Sequence, residues 1–194
     1  DVRSGTVVDT EIKVGATGVT AFVGTGFETA DEMGVKVTNA RLGMVLYKTI
    51  DEGVSAGSSS LATFAMKATA DELELVGVTD VTLSAQNIEL EVNRSGQDLS
   101  GVEVDTGGLE ADGVTAIVVD MSFADTSDVT RLRGDVVIDV LGFVSLSGTF
   151  SFEKTDVRSG TVVDTEIKVG ATGVTAFVGT GFETADEMGV KVTN

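Results

Sequence analysis

Asp105, Glu110 and Asp112 stand close together in a stretch that also holds Gly107, Gly108 and Gly113. Carboxylate oxygens are the hard ligands calcium takes, and glycine lets a main chain wrap tightly around an ion. Residues 107–115, GGLEADGVT, approach the calcium nonapeptide GGxGxDxUx, with Glu110 where a glycine should fall. That motif shares each ion between stacked copies, and the chain has one copy. The stretch therefore reads as a single acidic loop, with calcium a candidate ligand and plain solvation the competing account. Asp51 with Glu52, and Asp125 with Asp128, are weaker candidates of the same kind.

Other chemistries are poorly provided for. With no His and no Cys, the chain has no Ser-His-Asp or Cys-His catalysis, no disulfide framework and no ordinary zinc site. Glycoside hydrolysis needs two carboxyls facing each other across a cleft. Acids are plentiful enough to pair by chance, but one Tyr (Tyr47) and no Trp make a poor sugar platform. Arg133-Gly134-Asp135 spells a known integrin tripeptide, yet it lies inside a strand-like run with nothing to force a protruding loop. The sequence reads as no enzyme, and it implies no organic cofactor.

The elements that must carry these residues are strands. Val, Ile, Phe and Thr recur with period two along most of the chain. One signature appears three times: Ile12, Val14 then Val19, Ala21, Val23; Val35, Val37 then Leu42, Met44, Leu46; Val81, Leu83 then Ile88, Leu90, Val92. Each has a gap that shifts the apolar residues from one parity to the other. Side chains alternate faces along a strand, so the chain must bulge, bend or change sheets near Ala16-Thr17, Asn39-Ala40 and Gln86-Asn87. Val144, Leu146, Phe150 and Phe152 keep one parity. Two hairpins are expected, one through residues 155–160 and one through residues 51–60, both rich in turn residues. Residues 24–34, 95–113 and 124–128 read as longer polar connections. Residues 68–75, ATADELEL, carry the only helical hint.

The resulting fold class is all-β: an elongated antiparallel β-sandwich or rolled sheet of long strands. The signatures are spaced by about 23 residues or twice that, so a β-solenoid with rungs of that length is the alternative. Ile12, Val14, Phe22, Val35, Val37, Leu42, Met44, Leu46, Phe64, Leu83, Ile88, Leu90, Phe150 and Phe152 are the expected core.

Residues 156–194 copy residues 1–39 without one change, a period of 155 residues. Residues 1–155 are then one full repeat unit, and residues 156–194 open the next. The opening strands of one unit are expected to complete the sheet of the unit before it. Interchangeable copies suit a spacer or a multivalent binder better than a single active site. The net charge of −18 disfavours nucleic acid and anionic lipid as partners, and no run of about 20 apolar residues could span a membrane as a helix. An apolar fraction of 42%, regularly patterned, argues against disorder.

In repeat style and composition the chain resembles the repeat regions of giant RTX-type bacterial surface adhesins. Residues 75–93, LVGVTDVTLSAQNIELEVN, and 140–155, VLGFVSLSGTFSFEKT, look like phrases that recur there. The resemblance implies type I export, calcium-stabilised folding outside the cell and display on the bacterial surface. It further implies a structural extender that projects a distal ligand-binding region, with neighbouring identical repeats as partners. A multivalent ligand- or carbohydrate-binding repeat is the alternative.

Overall fold

The computed structural model describes residues 7–51, 62–124, 126–159 and 162–193. The regular structure is all β, and every strand pair is antiparallel. The strands are β1 (Val7–Thr25), β2 (Met33–Asp51), β3 (Ala62–Val76), β4 (Val81–Asn93), β5 (Glu103–Leu109), β6 (Ala116–Asp120), β7 (Asp128–Val140), β8 (Val144–Ser159), β9 (Val162–Thr180) and β10 (Met188–Thr193). Eight of them form one sheet in the order β1-β2-β3-β4-β7-β8-β9-β10, and β5-β6 form a separate two-stranded sheet. A solenoid of stacked rungs does not describe this antiparallel meander. The helical hint at residues 68–75 gives way to the second half of β3, a strand continuous from Ala62 to Val76.

The parity shifts are met by bulges, in a row that crosses the sheet. Pairing between β1 and β2 shifts at Val19, and pairing between β4 and β7 shifts between Gln86 and Glu89. A third shift, between Ser147 and Thr149, lies on the β8-β9 pair. Gly18, Asn39, Asn87 and Gly173 take the left-handed backbone there, with φ of +66°, +51°, +51° and +60°. Asparagine is the residue after glycine that tolerates this region best. Each asparagine also reaches across to the next strand: Asn39 donates to Asp71 at 2.6 Å and Asn87 to Asp135 at 2.7 Å.

The bulges keep one face apolar along strands too long to stay in phase. On one side of the row Val23, Val35 and Leu75 are neighbours, as are Val37, Leu73, Ala85 and Val136. On the other side Ile12, Leu46 and Phe64 align, as do Leu90, Leu132, Phe152 and Val169. Both sets share a face, since Leu73, Ala85 and Val136 line one apolar groove together with Leu132, Phe150 and Phe152.

Burial departs from the sequence expectation. Ile12, Val14 and Phe152 are exposed, and the other expected core residues are half-buried. They do line up as a surface, except Phe22, which takes the opposite parity and lies over Gly24 and Gly34. No described element covers that apolar face. The tight core lies on the opposite one, where Val45 and Ala65 meet Leu99, Val104 and Met121 from the segment between β4 and β7. Tyr47, Val102, Val119 and Phe123 pack around them. Residues 95–113, expected as a connection, thus contain β5 and form half of a pad over β1 to β3. The close approach needs missing side chains on the sheet. A Cβ on Gly43 would lie 2.7 Å from Val119 Cβ and 3.0 Å from Met121 Sδ.

Candidate functional site

Those of the acidic residues singled out by sequence that are described lie on the pad and at strand ends. Asp105 lies on β5 and accepts from the Gly107 N–H at 2.7 Å. Glu110 and Asp112 lie in the turn that joins β5 to β6. There the Glu110 N–H bonds the Thr115 carbonyl and the Gly113 N–H bonds the Glu110 carbonyl. Asp112 is turned inward on its own loop. One carboxylate oxygen accepts from the Val114 and Thr115 N–H groups, both at 2.9 Å, and the other accepts from the Thr115 hydroxyl at 2.6 Å. These bonds, the Thr115 hydroxyl first, hold the Asp112 carboxyl down at about 2. It acts as the staple of a tight turn.

Among the described residues, no three His, Cys, Asp or Glu side chains are grouped so as to hold a metal ion. Asp105 lies on β5, and Glu110 and Asp112 lie on the turn that follows it. Asp51 closes β2, with its side chain outside the described part, and Glu52 and Asp125 lie outside the described residues. Asp128 opens β7 and stands 3.9 Å from Arg94. Arg94 also pairs with Asp156 at 3.2 Å, and Lys154 meets the same carboxylate at 2.5 Å. Lys154 and the Thr165 hydroxyl, with Arg94 behind them, hold Asp156 at about 2.

The integrin-like tripeptide is built into the sheet. Gly134 is buried in β7, and Asp135 accepts from Thr149 at 2.5 Å and from Asn87 at 2.7 Å. Those two bonds pull the Asp135 carboxyl below its usual range.

Two features escaped the sequence reading. One is a charge ladder across five strands. Lys67 pairs with Glu91 at 2.9 Å, Glu91 with Arg131 at 3.3 Å, Arg131 with Glu153 at 2.5 Å, and Glu153 with Lys168 at 3.2 Å. Each member sits directly opposite the next in the strand register. Glu153, then Glu91, raises the Arg131 guanidinium, and Arg131 and Lys168 lower Glu153. Alternation of sign between strands was the available signal, but it emerges only once the register is known. The other is the asparagine-to-aspartate bond made at Asn39 and at Asn87. The sequence marked Asn39 and Asn87 as turning points without showing why asparagine stands there.

The most extensive built feature is the boundary between repeat copies. The copy boundary falls inside β8, whose residues 144–155 belong to the first copy and pair with β9 of the second from Val144 opposite Val178 to Thr155 opposite Glu166. β9 has the limits of β1 displaced by one period. β10 pairs with β9 in the register by which β2 pairs with β1: Met188 faces Thr180 as Met33 faces Thr25. The turns match too, with Glu28 at φ +59° and Glu183 at +57°. One sheet runs through the boundary without a break. Compared with protein-family models, with curated proteins and with solved structures, the chain matches none.

Proposed function

We propose that this chain is a structural extender, a spacer repeat of a large bacterial cell-surface adhesin that projects a distal ligand-binding region. The observation that supports this reading is the sheet that passes from one repeat copy into the next through β8 and β9. Domains joined by a polar linker swivel, because few contacts cross the boundary. Here a ladder of main-chain hydrogen bonds crosses it, reinforced by the Glu153–Lys168 ion pair. Such a joint resists bending, which is what reach requires. The cell-surface setting rests on the resemblance in repeat style.

Each repeat contributes β1, β2, β3, β4, β7 and β8 to the main sheet. Neighbouring strands lie about 4.8 Å apart, so each further repeat should add roughly 29 Å along the sheet. Small-angle scattering from chains of one, two and three repeats tests the reading. A constant increment of that size is expected. Growth with the square root of repeat number would mean flexible joints and would remove the basis for an extender.

A further inference from the structure

We infer that the outer edge of β1 is a docking edge for one kind of partner, a β8 strand from a preceding copy of the repeat. The inference goes beyond the extender reading and holds wherever such an array is displayed. Among the described residues β1 ends the sheet on one side, and a sheet edge presents main-chain groups ready to bond another strand. Its sequence is that of β9, whose equivalent edge is taken by β8. The partner and register follow from that pair: Val144 opposite Val23, Leu146 opposite Ala21, Phe150 opposite Ala16, Phe152 opposite Val14, and Glu153 opposite Lys13.

Differences between the two copies show what β1 lacks. Phe177 is 1% exposed in β9, with the buried Ser145 of β8 opposite it, whereas the identical Phe22 is only half-buried. Gly179 is buried and donates its N–H to the Phe143 carbonyl at 2.8 Å, whereas the identical Gly24 is exposed. Both copies pair this lysine within its own strand, Lys13 with Glu11 at 3.4 Å and Lys168 with Glu166 at 3.1 Å, but Lys168 also reaches across to Glu153 at 3.2 Å. A β8 strand on the edge would bury Phe22 and give Lys13 its cross-strand carboxylate.

The test uses the whole chain with residues 143–155 added directly before Asp1, which reproduces the Thr155-Asp156 junction. Amide exchange is followed by NMR, which separates the two copies. The expected result is that protection along β1 rises tenfold or more and reaches that of β9. Unchanged protection along β1, or an added strand that settles on β10, would overturn the inference. A second chain carries Ser151→Pro and Phe152→Pro in the added strand alone, which removes N–H donors there. It should return β1 to its unextended exchange, and persistent protection would show that strand pairing is not the cause. Lys13→Glu should then weaken the extended chain's protection about two- to fivefold, and Glu153→Lys in the added strand should restore it. No rescue would contradict the register.

Discussion

Gly15 and Gly170 are one residue of the repeat in two surroundings, and replacing each by alanine should have unequal effects. A Cβ on Gly15 would press into the Asp105 carbonyl oxygen and lie 2.9 Å from Thr106 Cα, both main-chain atoms of β5. It can be accommodated only if the pad lifts from the sheet. A Cβ on Gly170 would meet only Ser151 Oγ, at 2.7 Å, and a hydroxyl can rotate away. Forcing extra volume into a packed contact costs about 1–3 kcal/mol. For a chain of this size that corresponds to a drop of about 2–12 °C in melting temperature. Gly170→Ala should cost under about 1 kcal/mol, because lower chain entropy in the unfolded state offsets the small adjustment. Heating is followed by the near-ultraviolet dichroism of Tyr47, the single tyrosine, which packs against the pad core. Gly15→Ala should weaken that signal before melting as well as lower the midpoint. Equal effects from the two substitutions, or a silent Gly15→Ala, would refute the placement of the pad on the sheet.

Asn87→Val should cost about 1–2 kcal/mol in denaturant melts, since a branched side chain is forced into the left-handed backbone, and Asn87→Gly should cost clearly less. The Asp112 and Asp156 carboxyls sit at about 2 in the folded chain, below the ordinary value near 4 for an unfolded aspartate. The unfolded chain therefore binds protons first, and the stability these groups confer is complete above about pH 4 and lost as pH falls towards 2. Asp112→Asn should accordingly lower the melting temperature at pH 7 and converge with the parent near pH 2. Because both Asp112 carboxylate oxygens accept bonds from their own loop, the effect of Asp112→Asn should be the same in excess chelator as in millimolar calcium at fixed ionic strength. A calcium-dependent difference would place an ion on that carboxylate.

The strands were legible because alternation is a local property, and the parity breaks even located the bulges to within a residue or two of Gly18, Asn39 and Asn87. What the bulges accomplish was not legible. The signatures gave a choice between changing sheets and bulging, and only the register shows that Val37 and Leu42 return to one face. Burial was misread for a similar reason. Val45 lies out of phase with the apolar signature, and it is buried by Leu99, Val104 and Met121, more than fifty residues away in sequence. β5 is short and rich in glycine and acid, so its alternation did not stand out from a loop. Asp105 and Asp112 are near in sequence, but one lies on a strand and the other is folded onto its own turn.

The continuity of the sheet across the repeat boundary is tested most directly by a disulfide between β8 and β9. The chain has no cysteine, so a pair introduced by Phe152→Cys and Val169→Cys would report on itself alone. These residues face each other directly in the register, and both are exposed to oxidant. Opposed positions on adjacent strands bring Cβ atoms to about 4.5–5.5 Å, close enough to bridge with a small adjustment. Mild oxidation should give a monomer with one internal disulfide and undiminished dichroism. The control pairing Phe152→Cys with Thr165→Cys, four residues out of register, should stay reduced within the monomer. Failure of the first pair to close, or equal closure of both, would contradict a single sheet running from one repeat into the next.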